Sequence, residues 1–310
     1  MPPPVGPGAA GDRERVMRFD TLTATAAVSV TGTACAVRCA HCGGHYLRGM
    51  LSPAEASRLA ASGGGRLAGR RVRSFLVSGG CRPDGAVPLL EHEGLLEELG
   101  RAGRLNLHAG LVRTEEQARA LARHAAAVSL DFTVDQQTID EVYGFRGVKA
   151  LDFVRAYELL SGFVPVTPHV LVGLHGGRVR GEGEAVRVLA SLGARAVVFL
   201  VFIPTRGSRF EGVEPPPVGE VLRVLDGARE ALPDASIVLG CMRPKGSYRE
   251  KLDTAAVRAR VVDRVAVPTP AAVEEAARLG LEVVWSDECC VFPSGPVSAG
   301  SAPAKEGRPG

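Results

Sequence analysis

Lysine is scarce in this sequence. Lys149, Lys245, Lys251 and Lys305 are the only four, and arginine supplies the rest of the 37 basic residues. We read that skew as codon bias rather than phosphate binding. Excess charge is also lacking: the formal net charge is +3, far from the electrostatic footprint of a nucleic-acid binder. Long apolar runs are missing. The longest, Ala196–Ile203, falls well short of the ~20 residues needed to cross a bilayer, so no membrane partner is expected. The first residues hold Pro2–Pro4 and Arg13–Arg15 but no apolar signal core, and the expectation is a cytoplasmic protein. The seven cysteines are odd in number. In a protein that is not secreted they are expected as thiols or metal ligands, not disulfides.

What is present is an ordinary globular composition, 45% hydrophobic and 23% charged over 310 residues. That length suits two domains of ~150 residues or one large α/β barrel. Residues 1–15 and 294–310 are rich in Pro and Gly and are expected to be disordered tails around one domain, 16–293. Within it, short apolar runs bounded by Gly, Pro or polar turns mark strands at Thr23–Val30, Ser74–Val77, Leu105–Ala109, Ala127–Asp131, Thr167–Val172, Ala196–Phe202, Ser236–Leu239 and Val262–Ala266. Helical patterns fall between them. Pro53–Ala61 follows a Ser52 cap and Glu115–Arg123 a Thr114 cap; Val148–Leu160, Glu182–Leu192, Val218–Ala231, Tyr248–Arg258 and Ala271–Leu279 complete most of the set. Strands alternating with helices specify βαβ units and a parallel sheet. Eight such units fit a (β/α)8 TIM-type barrel, full or partial, with a doubly wound sheet as the alternative. In a barrel the chemistry gathers where strands end, and the unusual residues fall there.

The sharpest feature is Cys35-Ala-Val-Arg-Cys39-Ala-His-Cys42. Three thiolates on one short loop can hold three irons of a [4Fe–4S] cube and leave the fourth iron open to a small molecule. The alternative is a zinc knuckle completed by His45.

This Cys-x3-Cys-x2-Cys loop after the first strand, with His41 in the slot usually held by an aromatic, resembles the radical S-adenosylmethionine superfamily. The resemblance implies that S-adenosylmethionine chelates the open iron and is cleaved reductively to a 5′-deoxyadenosyl radical, with Arg38 and His41 lining the cluster. It further implies an electron donor such as ferredoxin or flavodoxin. Ser78-Gly79-Gly80-Cys81 stands where that superfamily has Gly-Gly-Glu, whose backbone binds the methionine amino group; here Cys81 replaces the acid. Asp131 or Asp135 ends the fourth strand, where related enzymes hold ribose hydroxyls, although either acid also suits a helix cap. Val170-Leu171-Val172-Gly173-Leu174 is similar to the adenine-side segment, without its acidic end, and Phe202-Ile203-Pro204 would pack on adenine.

Beyond the triplet stand Cys81, Cys241, Cys289 and Cys290, the number of thiols for a second, auxiliary iron–sulfur cluster. Buried cysteine is also a common small hydrophobe. Cys81 and Cys241 lie beside flexible backbone and a cation, which favours thiolate, and are candidate catalytic thiols. His45, Tyr46, His169 and His175 are weaker candidates, and Arg243 and Lys245 are candidates to hold an anion at the barrel mouth. Together with Gly173-Leu-His-Gly-Gly177 and Gly240-Cys-Met-Arg-Pro-Lys245, these segments resemble a biotin-synthase-related group similar to the two-component lipoyl synthases first recognised in archaea. That narrower resemblance covers roughly residues 20–290. It implies sulfur insertion into an octanoyl chain on a lipoyl-carrier domain or H protein, with a second radical subunit as partner. Another radical reaction, such as mutation or methylation, and a non-catalytic iron–sulfur or zinc protein remain alternatives.

Overall fold

In the computed structural model, residues 15–62, 65–67 and 69–292 are described; apart from Arg15, both expected tails lie outside them. The strands are β1 (Val16–Asp20), β2 (Thr25–Ser29), β3 (Arg66–Leu67), β4 (Arg70–Arg71), β5 (Ser74–Ser78), β6 (Arg104–His108), β7 (Ala127–Asp131), β8 (Val166–Val172), β9 (Ala196–Val201), β10 (Ser236–Leu239), β11 (Arg264–Ala266) and β12 (Glu282–Ser286). The α-helices are α1 (Pro53–Ala61), α2 (Glu93–Ala102), α3 (Glu115–Ala122), α4 (Gln136–Val142), α5 (Ala150–Ser161), α6 (Glu182–Ser191), α7 (Val218–Ala231), α8 (Ser247–Ala259) and α9 (Pro270–Arg278).

Ten strands form one curled sheet in the order β12-β1-β11-β10-β9-β8-β7-β6-β5-β2, with every pairing parallel. All eight strands anticipated from the sequence are in it. Two helix starts anticipated from capping chemistry are also present: Ser52 with Glu55 and Thr114 with Gln117 each form a reciprocal capping box. The architecture is a partial (β/α)8 barrel, as the alternation of strands and helices predicts.

Patterning missed the short β3–β4 pair and three larger elements. Helices α2 and α4 were not foreseen. Nor was β1, which inserts between β11 and β12. Its Arg18 and Asp20 obscure a strand pattern, but Asp20 is fully buried because Arg264 pairs with both of its oxygens, at 2.6 and 2.7 Å. A buried charge is tolerated when it is matched in this way.

Alternation along the strands makes two interiors. Outward residues such as Phe75, Leu107, Val128, Val170 and Phe199 pack in the large core that also takes in the helices. Inside the curl, β9–β11 present Val198, Leu200, Val238 and Ala266, which form a second cluster with Cys290. On β5–β8 the corresponding alternate positions are Ser78, Asn106, His108, Ser129, Asp131 and His169. The lumen therefore has an apolar wall and a polar wall. Residues 286–292 cross the gap between the sheet edges. Ala24 donates its N–H to Asp287 O at 2.7 Å, Cys289 its N–H to Thr25 Oγ1 at 2.8 Å, and Arg104 pairs with Glu288 at 2.6 Å. Among the described residues no helix is long and apolar enough to cross a membrane.

Candidate functional site

The cysteine loop follows β2 and is held from three sides. Ala36 N–H donates to Cys81 O at 3.1 Å, Ala40 N–H to Val142 O at 2.7 Å, and Phe210 N–H to Ala40 O at 3.1 Å. Gly80 is needed for the first of these approaches. A Cβ there would overlap the Ala34 carbonyl and the Cys35 Cα. The glycines after β5 thus admit the loop itself, and Gly80 N–H is engaged by Thr31 Oγ1 at 2.7 Å. Cys39 is buried, while Cys35 and Cys42 are half-buried.

The donor set fits an iron–sulfur cube. Gly144 N–H donates to Cys39 Sγ at 3.4 Å. Cys42 is pulled down to about 4, first by the Cys39 thiol and, after opposing burial, by His41, while Cys39 is pushed up by donating to Cys42. Ligand atoms of Cys39, His41 and Cys42 lie within 4.8 Å of one another, and His41 Nδ1 is buried with no hydrogen-bond partner. Neither Cys35 nor His45, the residue expected to complete a zinc knuckle, is in that group; His45 packs edge-on to Tyr46 at 5.5 Å. Cys35, Cys39 and Cys42 could hold three irons of a [4Fe–4S] cluster and would leave the fourth open to a small molecule.

Beneath the loop is a cavity of about 80 Å³ whose lining includes Ser78, Gly79, Cys81, His108, Asp131 and Tyr143. Asp131 and Asp135 separate here by role. Asp135 caps α4, accepting from Thr138 N–H at 3.0 Å, and pairs with Arg180 at 2.8 Å. Asp131 faces the lumen, 3.3 Å from His108 Nε2. Enclosure by the barrel opposes both charges, yet each stabilises the other: Asp131 falls to about 2 and His108 rises. His169, 6.2 Å from His108 between ring centres, is lowered to about 4 by burial and by that neighbouring charge. His175 lies elsewhere, 3.2 Å from Thr138 Oγ1.

The turn that follows β8 is closed by an acid from further along the chain. Glu182, nine residues beyond Gly173, returns to accept its N–H at 2.7 Å, and its second oxygen is buried without a partner. Gly173 adopts φ +77, and a Cβ there would press on Pro216 at 2.7 Å. Phe202 is buried and edge-on to Phe210 at 5.9 Å. Sequence reasoning missed His108, Asn106, Tyr143 and Glu182. The i, i+2 spacing of Asn106 and His108 on one strand face was the available signal for two of them.

The four further cysteines divide. Cys81 sits with the triplet: Cys35 Sγ is 4.0 Å from Cys81 O, and burial followed by Cys35 pushes the Cys81 thiol to about 12. Cys241, Cys289 and Cys290 meet instead in the lumen cluster. Cys289 is drawn down to about 7 by the adjacent Cys290 thiol, which rises in turn. Arg243 is not at the mouth as anticipated. It is fully buried, paired with Asp253 at 2.7 Å, and bonded to the carbonyls of Gly240, Ala266 and Val267. Lys245 is exposed.

No protein-family model and no curated protein sequence matches the chain. Solved structures do. The FeFe-hydrogenase maturase HydG from Carboxydothermus hydrogenoformans is similar at TM-score 0.58 and 17% identity, over 82% of this chain and 59% of that one. Methylornithine synthase (PylB) is similar at TM-score 0.58 and 15% identity, over 89% and 87%. Streptococcus suis SuiB follows at TM-score 0.53 and 12% identity, over 76% and 52%. This chain thus spans less than two thirds of HydG. At these identities the likeness is one of fold.

Proposed function

We propose that this chain is a radical S-adenosylmethionine enzyme that inserts sulfur into an octanoyl chain carried on the lysine of a lipoyl-carrier domain or H protein, as one component of a two-subunit lipoyl synthase. The observation that supports the reading is the arrangement of thiols at two levels of one barrel, with Cys35, Cys39 and Cys42 at the mouth and Cys241, Cys289 and Cys290 in the lumen below. When bound, the cluster and S-adenosylmethionine supply a carbon radical able to take hydrogen from an unactivated C–H bond. The chain's own residues do the rest. Cys42 enters as thiolate, Asp131 and His108 offer paired charges to polar groups of the bound cofactor, and the wall of Val198, Leu200 and Val238 suits an aliphatic chain. The lumen thiols would hold an auxiliary iron–sulfur cluster as the sulfur source.

The test is anaerobic reconstitution with S-adenosylmethionine, dithionite and an octanoyl-lysyl peptide, with and without the partner subunit. The expected result is 5′-deoxyadenosine together with a peptide that has gained sulfur by mass spectrometry. Deoxyadenosine without sulfur transfer under any pairing would move the chain to another radical reaction, such as mutation or methylation. No deoxyadenosine under any condition would defeat the radical reading.

A further inference from the structure

A cube held only by Cys35, Cys39 and Cys42 keeps one corner without a protein ligand. The structure brings a fourth thiol to the same place from a different element. Cys81 follows β5. Its carbonyl accepts from Ala36 N–H at 3.1 Å and lies 4.0 Å from Cys35 Sγ. Gly80, one residue earlier, permits this approach, since a Cβ there would overlap the Cys35 Cα. Cys81 is half-buried and lines the cavity beneath the loop together with Asp131 and Tyr143. Charge on Cys39, Cys81 or Cys42 bears on the buried Tyr143 hydroxyl, so these thiols face one small space.

The spread of the thiols suits a cube better than a single ion. Ligand atoms of Cys39, His41 and Cys42 form a tight group within 4.8 Å, and both Cys35 and Cys81 lie outside it. A mononuclear ion draws its ligands close, whereas a [4Fe–4S] cluster spreads four of them over four corners. Nor does positive charge prepare Cys81 as a nucleophile. Arg82, its neighbour in sequence, is paired with Glu91, and the groups that bear on the Cys81 thiol are Cys35, Asp131, Cys42 and Asp84. Among such neighbours a metal is the partner that makes a cysteine thiolate.

We propose that Cys81 is the fourth protein ligand of the mouth cluster, closing its open iron while S-adenosylmethionine is absent and giving way when that molecule binds. The inference rests on the radical reading only for the molecule that displaces the thiol. In the exchange the bond between Cys81 sulfur and iron breaks, and bonds form from iron to the amino nitrogen and carboxylate oxygen of the methionine portion. The proton lost by the ammonium group balances the one taken up by the released thiolate, and no electron moves. Iron is retained between turnovers, and apparent affinity falls because only the fraction with Cys81 released can bind.

The test compares the anaerobically reconstituted full chain with its Cys81→Ala and Cys81→Ser variants. The contact with Ala36 is made by backbone and survives both changes. Without S-adenosylmethionine, mild ferricyanide oxidation is expected to give a much larger three-iron signal in Cys81→Ala than in wild type, read by electron paramagnetic resonance. Cys81→Ser should fall between them, because a hydroxyl is the weaker iron ligand. Any second cluster is common to all three proteins and cancels in the comparison. Calorimetric binding of S-adenosylmethionine is expected to be at least ~5-fold tighter in Cys81→Ala, where no thiolate has to leave. Equal three-iron signals in wild type and Cys81→Ala would overturn the proposal. So would binding that is no tighter in the variant. If none of the proteins yields deoxyadenosine with dithionite, the radical reading fails, while the oxidation comparison still decides whether Cys81 is a ligand.

Discussion

The side-chain amide of Asn106 donates to Cys289 Sγ at 3.5 Å, joining β6 to the segment that follows the last strand. Ser129 Oγ donates in turn to Asn106 Oδ1 at 3.0 Å, so the amide is held in that orientation. An N–H···S contact favours thiolate, as the Cys290 thiol does in drawing Cys289 to about 7. A thiol treated this way differs from a cysteine buried only as a small hydrophobe.

Replacing Cys241, Cys289 and Cys290 together with Ala is therefore expected to remove one cluster and spare the other. Iron should fall from ~eight to ~four per chain. Cys81→Ala, at a thiol that lies with the mouth triplet, should leave the count unchanged. Iron and acid-labile sulfide after anaerobic reconstitution decide both points. A loss in Cys81→Ala as large as in the triple variant would return Cys81 to the lower set.

Gly80→Ala should disable the mouth without unfolding the barrel. The added methyl meets the Ala34 carbonyl and Cys35 Cα, backbone that can move only by displacing the loop. Up to ~four irons should be lost while far-ultraviolet dichroism stays native. Gly94→Ala, on α2 with nothing within 4 Å, is the control and should bind iron normally. Equal iron in the two variants would refute the packing argument.

The His108–Asp131 pair should impose a pH window. The pKa of His108 is raised, so its contribution is complete below the ordinary histidine value of ~6.5 and fades as pH rises through the folded value. Asp131 is lowered to about 2, so its contribution is present above the usual carboxylate value and is lost as pH falls toward 2. The melting temperature of wild type should exceed that of Asp131→Asn most between about pH 4 and 6.5, with the gap closing at higher pH. A gap that stays constant to pH 9 would show that the pair carries no net charge interaction. Both side chains face the lumen, 30% and 45% exposed, so solvent screening keeps the effect modest.

Much of the barrel was legible because parallel strands covered on both sides are apolar runs, and helix starts declare themselves by capping chemistry. The strand Val16–Asp20 was hidden because its buried Asp20 finds its partner in Arg264, 244 residues away. The mouth triplet was legible as spacing along one loop. Which of the other thiols stand together was not, since Cys241 and Cys289 meet only through the curl of the sheet. Arg243 misled for a related reason: the sequence shows it only in the run Gly240-Cys-Met-Arg-Pro-Lys245, whereas its partner Asp253 lies on α8.

That partner supplies a stability test. Asp253 accepts from Arg243 at 2.7 and 2.8 Å and from Thr269 N–H at 3.1 Å, and both charged side chains are wholly buried. Asp253→Ala leaves a guanidinium uncompensated, at a cost of ~3–5 kcal/mol. For a domain of this size the melting temperature should drop by roughly 10 °C. A drop under ~2 °C would mean that water reaches the arginine.

The insertion of β1 between β11 and β12 also sets a timetable. The mouth thiols Cys35, Cys39 and Cys42 lie within eight consecutive positions, well ahead of the lower thiols in the chain. The proposed lumen site needs Cys289 and Cys290, and the segment bearing them is fastened to Thr25, Arg73 and Arg104, residues made long before it, and to Arg264. Because chains are built and begin to fold from the N-terminus, the barrel floor closes only after residues 286–292 have been made. The loop at the mouth is complete about 250 residues earlier, whereas the lower thiols come together only once that segment has docked. Maturation of this protein would then proceed in two stages, ordered by where the ligands fall in the chain.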